Sequence, residues 1–416
     1  MDEADMLMRG SAAPKILAVA DSESYLKWAA HLLAGLQGAG TADFRTELLL
    51  LDTPLLPVPE QRSAALTGTR WEGRSPGVVT RRALRGELER LRPDIVLAAA
   101  TGPVVQQIHS TAARVSPRPA LLSGLPGVGL PATTKGARYR RLGDAFVTHS
   151  HAEAAAYRRV YGALRYPADI LVTRLPMLAS AAPPEPVRGG GRVHRIVFAP
   201  QAKVPPLRSQ RLQILRALDD WARAEAGRTV AIKLRSREGE QETHHEHVPY
   251  RELLGRMHTS GEASARMRLE YGPMAEFLTP GTALVTVSST AALESLDRGL
   301  PTLVVSDFGV NEEMLNAAFS GSGLERTLEQ LRAGDFPFPT RDWLRENYFH
   351  PPEDSFERAL VLLAARSRQA QLTDLGRQAL AQDLRGVRAE LRTLAPAPVV
   401  SAYRSGVTAL RRIRSR

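Results

Sequence analysis

The chain has no cysteine among its 416 residues. That excludes a disulfide framework, a thiolate metal site and a cysteine nucleophile, and it fits a reducing compartment. No stretch approaches the ~18 consecutive apolar residues of a membrane span. The opening MDEADMLMRGSAA is acidic and has no apolar core of a signal peptide. A cytoplasmic protein with a disordered segment 1–13 is the expectation. Zinc-finger spacing, an aromatic RNA-binding signature and a basic helix within a helix-turn-helix are all missing. The net charge of +11 therefore does not read as a nucleic-acid footprint, because Arg404, Arg411, Arg412, Arg414 and Arg416 crowd into the acid-free last thirteen residues and removing them leaves +6.

What is present is a long run of alternating strand and helix patterns. Hydrophobic residues make up 43% of the chain, which excludes wholesale disorder, and the length suits two domains of roughly 200 residues. Buried-strand patterns are read at Lys15–Ala20, Leu48–Leu51, Ile95–Ala100, Ala120–Leu122, Ala145–Val147 and Asp169–Val172, separated by helical patterns such as Tyr25–Leu36. Such alternation marks a mostly parallel sheet covered on both faces. The Pro- and Gly-rich stretch 178–192 reads as a linker between a first domain at 14–177 and a second at 193–350. Strands are expected again at Ile196–Ala199, Val230–Leu234, Arg268–Glu270, Ala283–Val287 and Thr302–Ser306. A helical region at 351–394, with its helical pattern running from about Phe356 to Leu391, and a basic tail at 395–416 follow.

Residues 283–310 carry the most information. The apolar run Ala283–Val287 stops at Ser288-Ser289-Thr290, whose hydroxyls suit a helix start; amides at such a start can hold a phosphate. Glu294 follows on the helix, and Gly299 and Pro301 precede the next strand. A second cluster, Lys233–Tyr250, presents Lys233, Arg235 and Arg237 on alternate positions, then Glu240, Thr243 and His244. It is either a solvated charged loop or a phosphate or carboxylate site. His244, His245 and His247 lack HExxH spacing, so no metal is expected. Gln201 and Lys203 follow the first strand of the second domain. In the first domain Asp21 and Glu23 follow strand one. Asp21 suits either a base that deprotonates an acceptor or a helix N-cap. His149 and His151, flanking Ser150 after the strand ending at Val147, are the second candidates for the catalytic base, with Glu153 near the start of the next helix, and Leu125-Pro126-Gly127-Val128-Gly129 reads as a turn bordering a cleft.

The 283–310 segment resembles the donor-binding half of glycosyltransferases with the two-Rossmann GT-B fold, whose Glu, small residues and Gly-x-Pro are matched by Glu294, Gly299 and Pro301. That resemblance implies that Glu294 holds the nucleotide ribose, that Ser288, Ser289 and Thr290 receive donor phosphate, and that Gln201 and Lys203 face the donor. The earlier Glu of many members would fall near Thr286, where there is none. The Ser-Ser-Thr version looks like bacterial sialyl-, polysialyl- and capsule-transferase branches, many of which use CMP-activated sugars; their His-Pro pair occurs here as His350-Pro351, after the turn instead of before it. In texture, Gln201-Ala202, Lys233 with Arg235, Gly239-Glu240 with Thr243-His244, and Ser288–Ala291 resemble an uncharacterised glycosyltransferase family of high-GC Gram-positive bacteria. The resemblance covers about residues 14–390 and implies a cell-envelope glycan enzyme.

The expectation is then an α/β protein of two Rossmann-like domains facing across a cleft, with C-terminal helices returning to the first. It would bind a CMP- or UDP-linked sugar, without a separate cofactor, and pass the sugar to a glycan or lipid-linked acceptor, with Lys233, Arg235 and His244 stabilising the leaving nucleotide. A sugar-nucleotide epimerase, a CDP-polyol phosphotransferase and a non-catalytic sugar-nucleotide binder share the fold. In the tail 398–416, Val399, Tyr403, Val407, Leu410 and Ile413 fall near one helical face between arginines. Such a tail either lies on the anionic inner face of a membrane or is a disordered basic extension.

Overall fold

The computed structural model describes residues 13–38, 43–178, 192–234, 246–351 and 353–381. The expected disordered start, most of the linker and the basic tail lie outside the described residues. The first domain has strands β1 (Lys15–Ala20), β2 (Arg45–Leu51), β3 (Gly77–Val79), β4 (Ile95–Ala99), β5 (Ala120–Gly124), β6 (Ala145–Thr148) and β7 (Asp169–Val172). Its helices are α1 (Glu23–Gly38), α2 (Pro59–Leu66), α3 (Leu84–Leu91), α4 (Gly102–Ala112), α5 (Thr134–Tyr139) and α6 (His151–Leu164). All seven strands run parallel in the order β3-β2-β1-β4-β5-β6-β7. β4 and β5 are apolar runs buried at every position, as strands with helices on both faces must be.

The second domain repeats the plan. Strands β8 (Arg195–Phe198), β9 (Thr229–Lys233), β10 (Met267–Glu270), β11 (Thr282–Thr286), β12 (Thr302–Val305) and β13 (Glu325–Arg326) form a parallel sheet in the order β10-β9-β8-β11-β12-β13. They are accompanied by α7 (Arg208–Arg223), α8 (Tyr250–Thr259), α9 (Ala291–Asp297), α10 (Leu328–Ala333) and α11 (Arg341–Glu346). Strand order reverses at β1/β4 in the first sheet and at β8/β11 in the second, and at such switch points loops diverge and leave a crevice. The short edge strands β3 and β13 were not expected from the sequence.

The chain then returns to the first domain as α12 (Ser355–Arg368). Arg368 forks onto the carboxylate of Asp94, at 2.8 and 2.6 Å, and Ser367 Oγ donates to Arg118 O at 2.9 Å. The helical region expected from about Phe356 to Leu391 begins with this helix. It ends at Arg368, Ala370 takes a φ of +53°, and Gln371 N closes the end onto Arg366 O at 2.8 Å. This turn lets the next segment pass Arg118, whose Nε donates to Thr373 O at 2.7 Å, and helix resumes at 376. One apolar cluster runs from Trp28 and Leu97 through Leu284 and Leu293 to Trp343, Tyr348, Phe356 and Leu360, so the domains share a core at their seam. Among the described residues no helix is long and apolar enough to cross a membrane.

Candidate functional site

On the second domain, β11 is wholly buried and is tied to the end of β8 by Thr286 Oγ1, which donates to Ala199 O at 2.7 Å. The Ser-Ser-Thr turn emerges beside this switch point. Its hydroxyls differ in role: Ser288 is buried and its Oγ donates to Leu315 O at 2.6 Å, whereas Ser289 is half-buried and its Oγ accepts from Ala291 N at 3.2 Å. Ala292, Leu293 and Leu296 anchor α9 in the core. Gly299, at a φ of +65°, ends it, with Leu300 N donating to Ser295 O at 3.1 Å. Glu294 is half-buried, and its carboxylate has no hydrogen-bond or ion-pair partner among the described residues.

The turn after β8 is folded around Gln201, whose Oε1 accepts from Lys203 N at 2.5 Å and Val204 N at 3.3 Å. Gln201 therefore shapes the turn, while Lys203 is exposed at its tip. Arg211 of α7, missed in the sequence among many helical arginines, is 1% exposed and holds this region together. It donates to Ala202 O at 2.7 Å, Pro205 O at 2.9 Å and Val248 O at 2.9 Å, and pairs with Glu246. Lys233, expected at the phosphate, is buried at the end of β9, and its Nζ donates to Leu234 O at 2.6 Å. Arg235, Arg237, Glu240, Thr243 and His244 lie outside the described residues.

In the first domain the geometry gives two expected catalytic groups structural work. Asp21 is fully buried: its Oδ2 accepts from Thr101 N at 2.9 Å and Thr101 Oγ1 at 2.6 Å, and its Oδ1 accepts from Ser22 Oγ at 3.0 Å. The carboxylate thus staples the loops after β1 and β4 across the switch point. His149 is 1% exposed; its Nε2 accepts from Trp28 Nε1 at 2.7 Å and its Nδ1 donates to Thr173 O at 3.1 Å. Burial lowers its pKa to about 4, so the ring is neutral and both nitrogens are occupied. Glu23, by contrast, is exposed at the start of α1.

Glu153 is the hub of the seam. Its Oε1 accepts from Gly129 N at 2.6 Å and Tyr348 Oη at 2.7 Å, and its Oε2 from His149 N at 2.8 Å. Burial raises its pKa and pushes that of Tyr348 well up, the latter with help from the Glu153 charge. The neighbouring loop approaches the second domain so closely that a methyl group at Gly127 would stand 2.9 Å from Thr290 Oγ1. The carboxyl edges of the two sheets therefore face each other, with Glu23 on one side and Ser289, Thr290, Glu294 and Lys203 on the other. A cavity of about 410 Å³, lined by Trp221, Arg228, Gly281 and Phe336 among others, opens instead at the amino edge of the second sheet, away from this crevice.

Two parallel Rossmann-like sheets with opposed carboxyl edges, and a C-terminal helix that returns to the first domain, define the GT-B class of fold. The chain belongs to the family described as "Putative glycosyltransferase (DUF6716)", whose model matches residues 16–363. No curated protein matches the sequence. Among solved structures, the "putative UDP-N-acetylglucosamine 2-epimerase" of Listeria monocytogenes is 13% identical with a TM-score of 0.56, covering 88% of this chain and 98% of its own. The Methanocaldococcus jannaschii UDP-GlcNAc 2-epimerase, in complex with UDP-GlcNAc and UDP, is 12% identical with a TM-score of 0.50, covering 84% and 99%. The pneumococcal O-GlcNAc transferase GtfA, in complex with UDP and GlcNAc, is 10% identical with a TM-score of 0.52, covering 92% and 100%. At these identities the likeness is one of fold.

Proposed function

We propose that this chain transfers a sugar from a nucleotide-activated donor to a glycan or lipid-linked acceptor of the cell envelope, by direct displacement with no metal in the transfer step. The observation that carries the reading is Glu294: a half-buried carboxylate without a partner among the described residues, one helical turn beyond Thr290, which the Gly127 loop of the first domain approaches closely. A carboxylate left unpaired in a partly dry site is costly unless a ligand supplies donors, and ribose hydroxyls are suitable ones. Ser289 and Thr290 then face the phosphate, and Lys203 supplies charge as the leaving nucleotide becomes more negative. The acceptor hydroxyl attacks the anomeric carbon, the bond from that carbon to the phosphate oxygen breaks, and the hydroxyl proton passes to Glu23, the exposed carboxylate of the opposite edge.

UDP is the first donor nucleotide to test, since two fold neighbours were captured with it; the CMP-linked nonulosonate suggested by the Ser-Ser-Thr turn is the second. The test is a thermal-shift series with UDP, CMP, CDP, GDP and ADP on the wild type and Glu294→Ala. At a hundred times Kd a ligand adds about 2.7 kcal/mol to the folded state. One nucleotide should raise the wild-type Tm and lose that effect in the variant, whose own Tm stays unchanged; no shift with any nucleotide would sink the donor site. An epimerase reading is favoured by the epimerase folds among the neighbours. It predicts conversion of UDP-GlcNAc with no acceptor present, whereas a transferase needs one.

A further inference from the structure

We propose that His151, His350 and Glu353 form a binding site for one divalent transition-metal ion of the zinc class, which clamps the returning chain to the first domain. His151 is the first residue of α6, and His350 and Glu353 flank the start of the passage into α12. One ligand atom from each lies within 4.8 Å of the others. His151 Nε2 stands 3.1 Å from Glu353 Oε1, close to the edge of about 3.3 Å that ligands 2.0–2.1 Å from a tetrahedral zinc must have. The two imidazole centroids are 4.9 Å apart.

The decisive group is His350. It is 1% exposed, and its Nδ1 lies 2.9 Å from Pro351 O, so the ring proton sits on Nδ1. Its Nε2 is buried and has no hydrogen-bond partner among the described residues. A histidine that donates through one nitrogen to a backbone carbonyl and leaves the other as a bare lone pair is oriented as metal-ligating histidines are. An orphaned buried acceptor is otherwise destabilising. Two imidazoles and one carboxylate offer lone pairs, which suits a cation. Imidazole nitrogen selects zinc-like ions over magnesium or calcium; Arg174, within electrostatic range of His350, weakens the hold on any cation there, so the two imidazoles and the carboxylate must carry the affinity. His151 and Glu353 are each more than a third exposed at the side chain, so both can swing inward, and the remaining position is open to water. The transfer chemistry above does not pass through this ion.

The experiment is calorimetric titration of metal-stripped, full-length protein with Zn²⁺, paired with the visible absorption of the Co²⁺ form. The wild type should bind one ion, show a Co²⁺ band of low coordination number and melt higher with metal. His151→Ala and Glu353→Gln, both at partly exposed positions, should each weaken binding at least tenfold, and His350→Ala should abolish it. Binding that survives these three changes but disappears when His244, His245 and His247 are replaced would overturn the proposal. So would no binding at all, or a Tm raised by inorganic phosphate in place of metal.

Discussion

Glu23 and Asp21 stand two residues apart after β1, yet Glu23 is exposed and Asp21 is fully buried. Glu23→Gln should therefore reduce kcat by a hundredfold or more, the scale of a lost general base, with the nucleotide-induced thermal shift retained; unchanged turnover would remove Glu23 from the mechanism. Buried histidines set the acid limit. His109 and His149 are held at about 4 by burial, against an ordinary 6.5. The folded state thus binds fewer protons than the unfolded state between those values, and stability falls as pH drops through that window. Each costs about 3 kcal/mol when the window is fully crossed. Urea melts from pH 7 to pH 4.5 should show a steeper loss in the wild type than in His149→Gln, and parallel curves would contradict the assignment. Asp21, His149 and Glu153 stood out in the sequence, but their partners, and His109, did not. Asp21 meets Thr101 eighty positions away, and Glu153 meets Tyr348 at a separation of 195; no local spacing reveals such pairs.

The strands were legible because a parallel strand covered on both faces is a bare apolar run with polar ends. Lys15–Ala20 and Asp169–Val172 came out with their boundaries intact, and most others shifted by one or two residues. β3 and β13 were not legible, since three and two residues at a sheet edge carry no periodicity. Helix α7 shows the opposite failure. Leu212, Leu215, Leu218 and Ala222 mark one apolar face in the sequence, of which the last three are buried, but Arg211 on the same helix is buried too and ties the turn after β8 to Glu246 and Val248. Removing one partner of a buried ion pair costs about 3–5 kcal/mol. Arg211→Ala should lose about that much in a urea melt, and Arg211→Lys should recover only part of it because the fork geometry is gone. A loss below about 1 kcal/mol would show that the turn holds without it.

At the scale of the molecule, the shared core decides how the halves are joined. Phe356 is 4% exposed within the cluster that spans both domains, and Phe356→Ala should cost about 3–5 kcal/mol. The pair Arg368 with Asp94 is partly exposed, so Arg368→Ala should cost only about 1 kcal/mol; the reverse ranking in denaturation would mean that the ion pair, not the apolar face, seats α12. The two-domain plan was readable from the restart of alternation after the Pro- and Gly-rich stretch, while the seam was not, because its members come from many widely separated stretches of chain. The path of the chain has a practical consequence. It leaves the first domain after β7 and comes back as α12, which packs against β7, so the second domain is topologically an insertion borne on two adjacent crossings. A single protease nick between Leu178 and Arg192 should leave both fragments eluting together in native buffer and separating only in denaturant. Any exchange of the second domain between relatives must then be spliced at both crossings, because a chimera cut at one would carry away the helix that completes the first.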